Sequence, residues 1–199
     1  MRFKTSFLAV CLIVLFAVSL AGASQQQMTT AQQQMMEQQM KYSTPTKAHD
    51  WLKNYVGKWG VEVKSWMQAG GEPVMSKASM MGELIFGGRF VKCDFQGQMM
   101  DTPFNGFQII GYDLYQKKYV GLWIDSMSTN FYLTTGVLDM AGKVLTESGM
   151  WPNPMTGGAD KVKIVTTQLG DGKFRFEMFM TGPDGKAFKS MELTYSRKM

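Results

Sequence analysis

From Trp59 onward the chain alternates apolar and polar residues with a period of two, segment after segment, and no gap between segments could hold a crossover helix. The segments are Trp59–Trp66, Lys77–Phe86, Arg89–Gln96, Gly106–Asp113, Lys118–Asp125, Phe131–Leu138, Val144–Trp151, Val162–Leu169, Phe174–Thr181 and Ala187–Arg197. Turn-forming residues separate them, as in Gly70-Gly71-Glu72-Pro73, Gly87-Gly88, Gly170-Asp171-Gly172-Lys173 and Pro183-Asp184-Gly185-Lys186. Short connections force neighbouring strands to pair antiparallel. A flat meander of that many strands would expose two unpaired edges, and closure removes them. The pattern therefore predicts an all-β fold: a single up-and-down antiparallel β-barrel of about ten strands.

One helix is expected before the barrel. Thr44 suits an N-cap, with Pro45 at the first helical position. Ala48, Trp51, Leu52, Tyr55 and Val56 then fall on one apolar face, and Gly57 suits a terminator. This helix is expected to plug or flank one end of the barrel.

The preceding sequence reads differently. Residues 1–23 have the layout of a secretory signal peptide: Arg2 and Lys4, an apolar run from Phe7 to Leu20, then Ala21-Gly22-Ala23. Residues 24–43 are dominated by Gln and Met and read as a flexible tether with transient helix. Residues 44–199 form the barrel domain. Cleavage after Ala23 would remove two of 21 basic residues, leaving 19 against 16 acidic ones, a net charge of +3. That balance is too mild to favour nucleic acid. Cys93 would be the one remaining Cys, so the fold must rest on its core rather than on an internal disulfide. The expected location is periplasmic or secreted, without stable membrane insertion.

Alternation also assigns faces. Phe174, Phe176, Met178 and Met180 share a phase, as do Met191, Leu193, Tyr195 and Arg197. Val91, Cys93 and Phe95 are in phase with Arg89, and Trp59 with Val61 and Val63. An inward arginine must be paired or stacked, because an isolated buried charge is costly. Arg197 is expected over the indole of Trp59, joining the last strand to the first. Arg89 is a candidate partner for Asp113 or Asp125, or an anchor for an anionic ligand group.

The residues also carry a resemblance. Gly57-Lys58-Trp59 ahead of a β-meander ending in Arg197 resembles the calycin superfamily, which includes lipocalins, fatty-acid-binding proteins and nitrobindins. The larger set is similar to an uncharacterised bacterial lipocalin-like "domain of unknown function" family of exported proteins. That set comprises His49-Asp50-Trp51-Leu52, Gly57-Lys58-Trp59, Gly87-Gly88-Arg89-Phe90, Gly106-Phe107, Gly111-Tyr112-Asp113, Lys118-Tyr119-Val120, Trp123-Ile124-Asp125-Ser126-Met127 and Tyr195-Ser196-Arg197-Lys198. The resemblance implies a barrel fold and fixes no activity. The lipocalin Thr-Asp-Tyr motif is missing. A nitrobindin-like haem site would need a late His, and none follows His49.

Other chemistry is sparse. One His and one Cys after residue 23 cannot build a usual zinc site, so no metal or cofactor is expected. His49 falls on the polar side of its helix pattern. Met35, Met36 and Met40 are soft donors suited to Cu(I), but Met is also a common core filler. Asp113, Asp125 and Glu147 could meet in a cavity and do acid–base work. Against this, the Val120-Leu122-Ile124 face has a claim to the interior, which would turn Asp125 outward.

The functional expectation is an exported barrel that binds a small apolar or amphipathic molecule, neutral or anionic. Its candidate ligand-binding residues are Trp59, Arg89, Phe95, Tyr112, Phe176, Met178, Tyr195 and Arg197, with Val61, Val91 and Leu193 along the walls. No residue is singled out as catalytic. The alternatives are a small-molecule isomerase, lyase or hydrolase using the cavity carboxylates, and a packed barrel whose outer surface binds a protein.

Overall fold

The computed structural model describes residues 29–99, 102–153, 157–182 and 185–198. The proposed signal peptide lies outside these residues. The chain divides into two units, one ending at Glu37 and one beginning at Gln38. The described part of the first unit is exposed and helical from Thr30, where α1 (Thr30–Ser43) begins. No residue of α1 is buried, in keeping with a sequence of Gln and Met that offers no continuous apolar face. Among the described residues no helix is long and apolar enough to cross a membrane.

The second unit is a closed antiparallel barrel of ten strands, each paired with its sequence neighbour. In order these are β1 (Gly57–Ser65), β2 (Val74–Ile85), β3 (Phe90–Met99), β4 (Thr102–Asp113), β5 (Lys118–Asp125), β6 (Tyr132–Leu138), β7 (Val144–Asn153), β8 (Gly158–Gly170), β9 (Lys173–Thr181) and β10 (Ala187–Arg197). Closure is made by β1 against β10, with Trp59 opposite Arg197 and Ser65 opposite Met191. The up-and-down barrel expected from alternation is therefore the fold observed. Only strand ends differ, chiefly where β2, β4 and β8 extend beyond their most regular alternation.

The helix before the barrel starts later than expected and is wound more tightly. It is a 3-10 helix over Lys47–Tyr55 with Thr46, not Thr44, as N-cap. The Thr46 backbone N–H donates to His49 Nδ1 at 2.9 Å, closing a capping box. Trp51, Leu52 and Tyr55 are buried, so the expected apolar face is the one that docks. His49 is buried as well, edge-on to the Tyr112 ring at 5.8 Å, which corrects its placement on a polar side.

This helix plugs one end of the barrel. Trp51 packs edge-on to Tyr119, and Tyr55 to Phe174. The Tyr119 hydroxyl donates to the Ala48 carbonyl at 2.7 Å. Beneath the plug lie Trp59, Val91, Ile110, Leu145 and Phe174, all nearly or fully buried. Each such large side chain contributes about 1.5–3 kcal/mol on burial. The barrel is thus filled at one end and must be stabilised there.

Candidate functional site

The other end is hollow. Large residues fill the plugged half, whereas the inward positions of β1–β3 towards the opposite rim are held by Ser65, Ser76, Ala78 and Gly97. Side chains that small leave space, and the result is a cavity of about 1150 Å³. It runs from Gln108, Gly121, Thr134 and Tyr195 at its floor to Met67, Val74 and Met127, exposed residues of the rim. Known small-molecule sites occupy about 300–1,000 Å³ and are mostly apolar with a few placed polar groups.

Two walls of different chemistry face each other. Along β3–β7 runs an aromatic wall. Phe104 and Trp123 are stacked at 6.2 Å, and Phe95 meets both edge-on at 6.0 Å. Tyr132, the cross-strand partner of Trp123, lies 4.7 Å from the Trp151 ring. The opposite wall, from β8–β10, is aliphatic and thioether: Ile164, Met178, Met180, Met191 and Leu193. Met178 and Met191 are direct cross-strand partners. Thioether side chains are flexible and polarisable, so this wall can reshape around a ligand.

Asp125 is the one charged side chain among the described residues that line the cavity. Its Oδ2 accepts the Trp123 indole N–H at 2.7 Å, and its Oδ1 accepts the Met127 backbone N–H at 2.9 Å. These bonds hold the carboxylate beside the aromatic wall. At the rim, Lys189 lies over the Trp66 ring at 5.2 Å, but it is paired with Glu177 and Glu192 and does not line the cavity.

A second carboxyl lies just under the floor. Glu147 is 2% exposed and its Oε1 accepts the Thr134 hydroxyl at 2.8 Å. Gly121 lies against both groups: a Cβ added there would lie 2.5 Å from Thr134 Oγ1 and 3.1 Å from Glu147 Oε1. Burial pushes the Glu147 carboxyl above its ordinary range, and the Thr134 hydrogen bond only partly opposes this.

The expected ligand residues divide between the two ends. Phe95, Phe176, Met178, Tyr195 and Leu193 line the cavity. Trp59, Val61 and Val91 are packed in the core outside the cavity lining. Tyr112 packs on Tyr119 and His49 near the plug. Arg197 lies over Trp59 and is exposed.

Arg89 is not an inward anchor. Phe86, Gly87 and Gly88 all take positive φ, Arg89 itself is in the αR region, and β3 begins only at Phe90. Strand alternation therefore does not reach it. Its guanidinium is exposed and donates to the Ser43 and Phe86 carbonyls, both at 2.9 Å.

The face of β5 is also the reverse of the one favoured by hydrophobicity. Tyr119, Gly121, Trp123 and Asp125 point inward, while Val120, Leu122 and Ile124 face out. The outer residues are sheltered by cross-strand neighbours, since Leu122 lies opposite Ile109 and Leu133, and Ile124 opposite Phe107. An apolar outer cluster thus imitates a core face.

The three carboxylates do not meet. Asp113 sits at the plugged end and accepts from the Tyr115 and Gln116 backbone N–H groups and the Gln116 side-chain amide in a turn. Asp125 is at the hollow end and Glu147 beneath its floor. Among the described residues no group of three or more His, Cys, Asp or Glu could hold a metal ion. Cys93 is buried, and burial pushes its thiol up to about 12. Strand phase alone does not reveal the aromatic wall; the one signal for it is the distinctive run Trp123-Ile124-Asp125-Ser126-Met127.

Residues 44–197 match the family described as "Protein of unknown function (DUF1579)". No curated protein matches the sequence. Among solved structures, the barrel is similar to Rv2717c from M. tuberculosis, with 12% identity and a TM-score of 0.59. That match covers 78% of this chain and 100% of the other. At such low identity it speaks to the barrel fold alone. A redesigned β-barrel is also matched, with 15% identity, 74% and 95% coverage and a TM-score of 0.39.

Proposed function

We propose that this chain, which belongs to the DUF1579 family of proteins of unknown function, is a binding protein for a small, largely apolar molecule. The observation that carries this reading is the hollow half of the barrel, about 1150 Å³ walled by aromatic, aliphatic and thioether side chains. A barrel built only for stability would fill that half with packed side chains, as the plugged half is filled, because each apolar side chain buried in the core adds to stability. The polar floor of Gln108 and Thr134 would orient a ligand's hydrogen-bonding group. The layout of residues 1–23 supports a site of action outside the cytoplasm. The pairing of Gly57-Lys58-Trp59 with Arg197 supports kinship with calycins.

Titration with N-phenyl-1-naphthylamine, a neutral probe that fluoresces in apolar surroundings, tests the reading. Saturable enhancement is expected, together with its loss in Ala78→Trp, which fills the cavity from β2. Absence of saturable binding to the folded protein overturns it. The carboxylate-enzyme reading gains nothing from the geometry, since Asp113, Asp125 and Glu147 share no pocket.

A further inference from the structure

We infer that the cavity selects organic cations: its preferred ligand is an amphipathic ammonium compound, held by Asp125 and the Phe95–Phe104–Trp123 rings with its apolar part against the methionine wall. The inference rests on the binding reading above and adds the chemical class of the ligand.

Charge is the first observation. The described lining carries one carboxylate and neither Lys nor Arg. An anionic head group would meet no positive partner there, and it would meet Asp125. A neutral ligand could donate a hydrogen bond to that carboxylate but would leave its charge uncompensated. Two of its roughly four lone-pair sites are taken by Trp123 Nε1 and the Met127 N–H. The remaining acceptor sites suit N–H donors or a close ammonium charge.

Ring geometry is the second. Stacked Phe104 and Trp123 rings, with Phe95 edge-on to both, put electron-rich π surface beside the carboxylate. A cation gains about 0.5–2 kcal/mol over such a ring, most over Trp and most when shielded from water. Other rings already carry protein cations: Arg197 over Trp59, Lys92 over Phe107 and Lys163 over Phe179 outside the cavity, and Lys189 over Trp66 at its rim. No such cation is found over Phe95, Phe104 or Trp123 among the described residues.

The wall opposite is the third. Met178, Met180 and Met191 provide an apolar surface that tolerates chains of varied shape and bears no charge. An ammonium at the rings and a hydrocarbon tail at the thioethers would satisfy both sides at once.

Displacement of N-phenyl-1-naphthylamine by three ten-carbon probes tests this: decyltrimethylammonium, decanol and decanoate, each below its aggregation threshold. The cation is expected to bind at least tenfold tighter than decanol, with decanoate the weakest. Asp125→Asn is expected to erase the cation's advantage while decanol binding persists. Phe104→Leu, which leaves the carboxylate in place, is expected to weaken the cation several-fold more than decanol. If decanol matches the cation, or if decanoate exceeds it, the cation inference fails and the binding reading stands. It fails in the same way if both folded variants keep the wild-type preference. If the dye itself does not bind, both fail.

Discussion

The guanidinium of Arg197 lies 4.3 Å from the centroid of the Trp59 ring, and its Nη1 donates to the Val56 carbonyl at 2.6 Å. The two residues are cross-strand partners on the strands that close the barrel. The indole N–H of Trp59 in turn donates to the Tyr55 carbonyl at 2.9 Å, the last residue of the plug. One arginine therefore covers the Trp that joins the seam to the plug. Gly57 makes room for it: φ is +109°, and an added Cβ would lie 2.6 Å from Arg197 Nη1.

Arg197→Ala is expected to destabilise the fold by about 1–2 kcal/mol, combining a cation–ring contact of about 0.5–1 kcal/mol with a hydrogen bond of similar size. Arg197→Lys should recover part of the loss, because an ammonium can sit over the ring without the planar fork. Urea unfolding followed by tryptophan fluorescence measures both. A change within about 0.3 kcal/mol for Ala would show that the seam contact contributes little to stability.

Docking of the plug depends on close backbone approach at Gly82. A Cβ there would lie 2.0 Å from the Tyr55 carbonyl oxygen and 2.8 Å from its carbonyl carbon, both backbone atoms that cannot rotate away. Gly82→Ala is expected to cost about 3 kcal/mol or more, at the upper end of about 1–3 kcal/mol for an overpacked core. Thermal unfolding checks this, with about 2–4 °C lost per kcal/mol for a domain of this size. A variant as stable as the parent would show that the plug is not seated as described.

Glu147 gives the fold a pH dependence. Its folded-state affinity for a proton is raised by burial above the ordinary carboxyl value of 4.5. The native state therefore holds the proton at pH values where the unfolded chain has released it. By linkage, this group's contribution to stability falls as pH rises from about 4.5 through the folded value. Glu147→Gln keeps an acceptor for Thr134 and cannot ionise. It is expected to match the parent near pH 4 and to exceed it at pH 7.5, as read from urea midpoints at both. Equal pH dependence in the two proteins would show that Glu147 does not carry the effect.

Cys93, with its thiol pushed up to about 12, is expected to be inert in the native protein. Ellman's reagent at pH 8 should label it only on the time scale of unfolding, and completely in guanidinium. Immediate labelling of the folded protein would mean that the core around Val91 and Phe95 opens far more readily than its burial implies.

Much of the barrel was legible because the signals behind it are local. A period of two is a property of the strand backbone, and short polar turns permit only antiparallel neighbours, so strand order and closure followed. Lys118–Asp125 and Ala187–Arg197 even kept their ends. The Trp59–Arg197 contact was legible for the same reason, since a closed meander must bring its first and last strands together.

Tertiary structure decided the rest. Arg89 left the interior because three consecutive positive-φ residues break the phase that alternation assumes. The β5 face was inverted because burial depends on neighbours across the sheet: Leu122 finds Ile109 and Leu133 on the outside, while Trp123 and Asp125 border a void. The void itself has no local signature. It arises because Ser65, Ser76, Ala78 and Gly97, from three strands, meet at one end, while the plug and Phe174 fill the other. By itself the sequence determined that a barrel would form and how it would close. Where that barrel stayed hollow, and which side chains face the hollow, depended on volumes summed across strands distant in the chain.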